Sequence, residues 1–275
     1  MIRIENLGFS YGQVPVLKHI TMSLEEGRIY GLLGENGVGK TTLLTLLCGL
    51  KKPLEGSVVC DGHDPYKREP VFLQDQYYLP DEVAPVGMTA YQYARSAGRF
   101  WPKFDLEKFM VLMQLFETDP EVKMSRMSAG MLKKTYISFA LACNAKHLLM
   151  DEPTNGLDIP SKTQFRSAIT RYTAEDSTIV ISTHQVRDLE NIIDPIVILD
   201  RQDVLLSASL EKIMSKLYFD YGTSLHPDAL YTEQLPGGFI QVYPNADGAE
   251  SKVNIEALFN TVHRHKDLVK AMFTK

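Results

Sequence analysis

The sequence lacks what a membrane-spanning or secreted chain would show. It has no apolar run of about 18 residues; the most apolar stretch, ISFALACNAKHLLM, is interrupted by Asn144, Lys146 and His147, so no segment is expected to cross a bilayer. Its amino terminus, MIRIENLGFSYG, alternates like a strand and has no apolar core of a signal peptide. Cysteine is scarce: Cys48, Cys60 and Cys143 lie far apart with no C-x-x-C spacing, which fits free thiols in a reduced compartment. Basic charge is also short, with 29 Lys and Arg against 34 Asp and Glu, a net charge of −5 and an isoelectric point near 5.8. That argues against the broad basic surface of most nucleic-acid binders, while leaving room for local basic spots. No repeat, low-complexity tract, metal-ligand cluster, haem motif or Ser/His/Asp triad emerges. His263 and His265 lie two apart and cannot share a helical face.

What remains is an ordinary globular composition, 44% apolar and 23% charged over 275 residues, enough for one large domain or a domain with an appendage. IRIENL and HITMSLEEG alternate as half-buried strands, and RIYGLLG reads as a strand buried on both faces. A helix is expected from about Lys40 to Cys48, with Gly49 placed to end it. EGSVVCDG and PVFLQD read as two further short strands. Residues 80 to 130 change to helical spacing, with Phe109, Leu112, Met113 and Phe116 on one face, either the core of a helical subdomain or a surface for a partner. Strand–helix alternation then returns. HLLMDEP and STIVISTH are buried-type strands flanking a helix that has Pro160 near its start and Phe165, Ile169 and Tyr172 on one side; PIVILD and DVLLSAS follow. From about residue 219, ALYTEQLPGGFIQVYPN suggests two strands, and NIEALFNTVHRH an amphipathic helix with Ile255, Leu258, Phe259 and Val262 on its stripe.

The densest chemical signal is Gly34-Glu35-Asn36-Gly37-Val38-Gly39-Lys40-Thr41, which fits G-x-x-x-x-G-K-[ST] between a buried strand and a helix. Glycines in such a turn let successive N–H groups face inward as an anion nest at a helix N-terminus. Lys40 is expected to reach the β- and γ-phosphates of a nucleoside triphosphate, and Thr41 to ligate Mg²⁺. Later, LLMDEPTNGLD ends a buried strand in two acids. Asp151 is placed to hold the metal and Glu152 to polarise an attacking water.

Taken together, residues 1 to about 215 resemble the nucleotide-binding domain of ATP-binding-cassette (ABC) proteins. The resemblance implies a P-loop α/β fold: a mainly parallel core sheet, an N-terminal antiparallel β-subdomain, and a helical subdomain inserted at about 80–140. The cassette would span 1–218, with a small α+β appendage at 219–275. Gly34, Glu35, Asn36, Gly37, Val38, Gly39, Lys40, Thr41 and Thr42 would cradle ATP. Tyr11 of FSYG would stack on adenine, with Phe9 as the alternative. In VFLQDQYYLP, Gln74 matches the family's metal-ligating loop glutamine, with Gln76 as the alternative; the family's preceding proline is absent there. His184 of VISTH resembles the switch histidine, and Asp158 of TNGLD the acid at the dimer seam. The signature L-S-G-G-Q reads Met127-Ser-Ala-Gly-Met131, keeping Ser128 and Gly130 but departing at Ala129 and Met131. Ser128 would cap a helix running to about Cys143 and face the γ-phosphate held by an opposite subunit. Lys133 and Lys134 would either add positive potential there or line a solvated face.

The implied function is the ATP-hydrolysing subunit of an ABC transporter. Two cassettes, identical or homologous, would sandwich ATP and Mg²⁺ and drive a transmembrane permease on a separate chain, in the export direction. ILDRQDVLLSASLEKI resembles the cassette ends of such bacterial subunits. The protein would be cytoplasmic and peripheral on the inner membrane through its permease, with no nucleic-acid partner. A soluble cassette ATPase acting on ribosomes or nucleic acid is the alternative, and another P-loop enzyme such as a nucleotide kinase a third.

Overall fold

A computed structural model describes residues 1–273; Thr274 and Lys275, the end of the expected appendage, lie outside the described residues. At its centre is a six-stranded sheet in the order β5-β6-β7-β3-β8-β9. Its strands are β3 (Ile29–Leu33), β5 (Gln76–Leu79), β6 (His147–Asp151), β7 (Thr178–Thr183), β8 (Ile196–Asp200) and β9 (Asp203–Ala208). All pairs are parallel except the β8–β9 hairpin at the edge. The middle strands are buried along their whole length, which is why they read as continuous apolar runs.

A second, antiparallel sheet packs beside it in the order β2-β1-β4, from β1 (Ile2–Tyr11), β2 (Val14–Leu24) and β4 (Glu55–Cys60). Helix α1 (Lys40–Leu47) leaves the glycine turn and ends at Gly49, whose φ of 73° and close approach to the Pro65 carbonyl exclude a side chain.

PVFLQD is not a strand. Residues Pro70–Gln74 form helix α2, since Pro70 sits in its first turn with φ already set for a helix; the strand β5 starts only at Gln76.

The inserted helices are α3 (Ala90–Ala97), α4 (Leu106–Leu115) and α5 (Ala129–Ala142). A reciprocal Thr89–Gln92 capping box starts α3. Phe109, Leu112, Met113 and Phe116 are fully buried, so that face of α4 is core rather than a docking surface. Phe139 of α5 lies within 6 Å of the rings of Tyr77, Tyr93, Trp101 and Phe104 and so joins the helical insert to the edge of the main sheet. Helix α6 (Ile159–Tyr172) buries Phe165 and Ile169 between β6 and β7 in sequence.

The tail has one strand and one helix more than expected. After α7 (Leu210–Lys216), the strands β10 (Leu217–Gly222), β11 (Tyr231–Leu235) and β12 (Gly238–Pro244) form an antiparallel sheet in the order β10-β12-β11. Helices α8 (Ile255–Arg264) and α9 (Lys266–Phe273) follow. β10 starts directly after a helix with no Gly or Pro to mark the change, so the boundary expected at residue 218 falls inside it. Phe219, Val242, Leu258 and Val269 belong to the same continuous core as Ile181, Ile196 and Ile198 of the main sheet. No helix among the described residues is long and apolar enough to cross a membrane.

One charge network closes the end of the main sheet remote from the glycine turn. Asp61 accepts from His147 Nε2 at 3.0 Å and pairs with Lys146 Nζ at 2.9 Å, which also reaches Glu26 at 3.2 Å. Burial alone would raise the Asp61 pKa. The hydrogen bonds from Lys146, the terminal amine and His147 outweigh that and hold it well below the usual carboxylate range. A depressed folded-state pKa stabilises the protein at neutral pH and loses that contribution as acid protonates the carboxylate. Asp61→Asn is expected to destabilise the protein by about 1–2 kcal/mol at pH 7. In thermal melts the gap from wild type should narrow as pH falls below about 4; a gap independent of pH would contradict the charge argument.

Candidate active site

The parallel register brings three strand ends to one edge. Leu33, the last residue of β3, pairs with Thr183 and Ile198, and Asp151, the last of β6, pairs with Ser182. The glycine turn starts there. Gly34 lies so close to the Leu199 carbonyl that a Cβ would sit 2.6 Å from it, and Gly37 and Gly39 take φ of 83° and 111°. Among the described residues, the N–H groups of Asn36, Gly37, Val38 and Gly39 donate to no protein acceptor. The turn therefore offers a row of donors at the start of α1, a cradle for phosphate oxygens.

Lys40 is buried and folded back over this turn, donating to the carbonyls of Gly34 at 2.8 Å and Glu35 at 3.1 Å. Thr41 Oγ1 donates to Asp151 Oδ2 at 2.6 Å, and Ser182 Oγ donates to Asp151 Oδ1. Asp151 is only 2% exposed. Its pairing with a threonine hydroxyl gives two hard oxygen donors, the set that Mg²⁺ takes alongside water and phosphate. No group of three or more Asp, Glu, His or Cys gathers here among the described residues, so a cation at this point would depend on substrate oxygens for the rest of its shell.

Glu152, 8% exposed, has a left-handed backbone with φ of 44°, unusual for a non-glycine residue. Its N–H bonds Ser182 Oγ at 3.1 Å and the Ser182 carbonyl at 3.2 Å, which holds the bend. Its Oε1 then lies 3.4 Å from Lys40 Nζ and 3.0 Å from His184 Nδ1, without an aligned hydrogen bond to either. Lys40, Glu152 and His184 form one row beside the Thr41–Asp151 pair. Ser182, which supports both acids, was missed in the sequence; only the strand register identifies it.

Tyr11 is 49% exposed, and its hydroxyl lies 3.3 Å from Thr42 Oγ1 on α1. Phe9 meets it edge-on, with ring centroids 5.1 Å apart, so both point the same way and Phe9 acts as a brace for Tyr11. The Lys51 ammonium sits 4.8 Å over the Tyr11 ring.

Gln74 does not join this group. β5 runs parallel to β6 with Gln76 opposite His147, so both glutamines stand at the opposite end of the sheet from Asp151, roughly 13 Å away along the strand. Gln76 is buried and donates to the Cys48 carbonyl, while Gln74 is exposed at the end of α2. Neither can ligate a metal at Asp151 in this arrangement. The residue that does emerge beside Asp151 is Asp81, two positions beyond Leu79, with Pro80 before it. The loop beside Asp151 therefore follows β5, whereas Gln74 precedes it.

Ser128 is the N-cap of α5, accepting from the Met131 N–H at 3.2 Å, so Ala129 and Met131 leave the helix start intact. Asp158 caps α6 in the same way, accepting from Ser161 at 2.9 Å. Both caps are exposed, and Gly130 comes close to the carbonyl of Gly156, at 3.8 Å from its would-be Cβ. The two caps thus share one surface, separate from the Lys40 row. Lys133 lies on no solvated face; it is buried against Asp81, and Lys134 donates to the Phe116 carbonyl.

A family profile described as ABC transporter matches residues 17–155. The chain is 30% identical to the uncharacterized ABC transporter ATP-binding protein YdbJ of Bacillus subtilis over 216 residues, covering 77% of this chain and 70% of that protein. It is 29% identical to the cobalt import ATP-binding protein CbiO of Salmonella typhimurium, over 74% of this chain and 79% of the relative. Among solved structures, an ATP-binding subunit of an ABC transporter superposes with a TM-score of 0.71 at 23% identity, covering 78% of this chain and 91% of the other.

The geometry separates binding from turnover. Glu152→Gln should keep ATP affinity within about threefold while lowering kcat by ~10²–10⁴, the range for loss of a general base. Calorimetric titration and phosphate release measure the two; wild-type turnover in the variant would remove Glu152 from that role.

Proposed function

Because the chain belongs to the ABC transporter family of ATPases, we propose that it is the ATP-hydrolysing subunit of a transporter whose transmembrane permease is a separate chain, working in the export direction. The observation that carries this reading is the row Lys40–Glu152–His184 set beside Thr41–Asp151 at the ends of β3, β6 and β7.

On binding ATP, Lys40 exchanges the carbonyls of Gly34 and Glu35 for the β- and γ-phosphates, and the free N–H groups of the glycine turn take the remaining oxygens. Tyr11 offers its exposed ring to the adenine. Thr41 and Asp151 would hold Mg²⁺, which neutralises phosphate charge. Once Lys40 turns to the phosphates, Glu152 is free to accept a proton from water, and His184 holds the γ-phosphate side of that water. The exposed caps Ser128 and Asp158 serve the nucleotide of a second cassette, the same chain or a homologue, so two copies close over two ATP molecules and reopen after hydrolysis.

The permease docks on the cleft between the main sheet and the helical insert. This cleft, about 550 Å³, is lined by Leu50, Leu73, Tyr78, Tyr93, Phe100 and Trp101. Leu50 and Phe100 of this lining are exposed, Phe100 by 69%, an apolar rim suited to a helix from a membrane protein. Such docking puts the chain on the cytoplasmic face of the membrane. The outward direction rests on the resemblance of Ile198–Ile213 to the cassette ends of export subunits. Import is the second reading, favoured by the likeness to CbiO. The acidic chain gives no support to action on ribosomes or nucleic acid.

The test is to purify tagged Glu152→Gln protein from its native membranes in mild detergent with ATP. A stoichiometric multi-span protein is expected, and Phe100→Asp should lose it while binding ATP as before. Recovery of ribosomal or nucleic-acid partners without a membrane protein would overturn the proposal. Uptake and efflux assays on vesicles carrying the complex then decide the direction.

A further inference from the structure

The first buried turns of α5 carry a lysine that the mechanism above does not use. Lys133 is 4% exposed, and burying an ammonium without a partner is costly. Its Nζ donates to the Asp81 backbone carbonyl and lies 3.3 Å from Asp81 Oδ1. Asn155 Nδ2 donates to the same carboxylate, 3.2 Å from Oδ1 and 3.4 Å from Oδ2. A second bond ties α5 to the same loop: Tyr136 donates to the Ala84 carbonyl at 2.8 Å.

Asp81 therefore joins three elements. It belongs to the loop that leaves β5 beside Asp151; Lys133 belongs to the helix capped by Ser128; and Asn155 lies three residues beyond Glu152, in the turn that ends at Asp158. We propose that Asp81 and Lys133 are positioning residues of the ATPase reaction. Their ion pair, steadied by Asn155, sets where the N-terminus of α5 and the Asn155–Asp158 turn stand relative to Asp151 and Glu152. The inference rests on the functional reading given above.

Electrostatics argues the same way. Burial depresses the Lys133 pKa, and the carboxylates of Asp81, Asp151 and Glu152 pull it back up. If Asp81 loses its charge, the buried ammonium keeps the Asp81 backbone carbonyl, but the carboxylates left to act on it are Asp151, engaged by Thr41 and Ser182, and Glu152, the partner of Lys40 and His184. Lys133 would then compete for Glu152. Turnover suffers, while the glycine turn that binds phosphate is untouched. An ion pair that served only the fold would leave turnover unchanged in any variant that folds.

The test uses the full chain with Asp81→Asn, Lys133→Met, the double variant and Asp81→Glu, at a temperature where circular dichroism shows each to be folded. Each single variant is expected to lower kcat at least about tenfold with KM for ATP within about threefold, the pattern of an interaction that acts on turnover and not on ground-state binding. The double variant should be no slower than the slower single, since the same pair cannot be lost twice. Asp81→Glu should recover most of the rate. If Asp81→Asn fails to fold because Lys133 is left unpaired, Lys133→Met, which leaves no buried charge, decides alone. A folded Lys133→Met protein with wild-type kcat, or losses that multiply in the double variant, would overturn the inference. Wild-type protein that hydrolyses no ATP would instead count against the assigned function.

Discussion

Two neighbouring carboxylates at the end of a buried strand dominate this structure. Asp151 and Glu152 are almost wholly removed from water, and an unpaired buried charge is among the most costly features a fold can carry. Each surrounding element answers that cost. Thr41 and Ser182 supply hydroxyl donors to Asp151, Lys40 and His184 bring positive or polar nitrogen to Glu152, and Lys133 stands behind them paired with Asp81. These groups come from the glycine turn, β7, the segment after β7 and α5, so the parallel register and the helical insert are both required. The same arrangement keeps Lys40 near the acids and poised over the turn. A polyphosphate supplies the competing negative charge that draws it away.

Local chemistry and register were unequally legible in the sequence. The glycine turn, the Asp-Glu strand end and the Ser128 cap are each written in a few consecutive residues, because a turn, a strand end and a cap are local decisions. Buried parallel strands were legible for a related reason: they must be apolar throughout. The failures came where position depends on another strand. Gln74 and Asp81 lie seven residues apart on opposite sides of β5, and only the pairing of Leu79 with Met150 tells which end faces Asp151. PVFLQD reads as a strand because its apolar run is too short to have a period, yet Pro70 in its first turn decides for a helix.

The tail was legible only in outline for a similar reason. Its middle hairpin announces itself through Gly237 and Gly238, but β10 follows α7 without punctuation and α9 follows α8 across a single break at His265. Nothing local separates cassette from appendage, and the packing explains why. Leu217, Phe219, Val242 and Leu258 share one core with the main sheet, while Lys266 pairs with Asp200 at the end of β8, next to the strand that feeds the glycine turn. A chain cut at residue 218 would expose that core.

The surface holding Ser128 and Asp158 sharpens the contrast between buried and exposed function. Both are caps that already satisfy one N–H of their own helices, yet both helices start in solvent, and the two starts meet where Gly130 approaches Gly156. A helix N-terminus keeps orphan donors even after its cap is made, and two adjoining starts combine their positive ends. The Lys40 row is closed by the chain's own acids, whereas on this second surface the α5 start, capped by the neutral Ser128, keeps donors turned to solvent. One copy of the chain thus carries a phosphate cradle closed by its own acids and, apart from it, a surface where two helix starts meet, one capped by Ser128 and the other by Asp158. That asymmetry makes face-to-face pairing of two copies the arrangement that uses both.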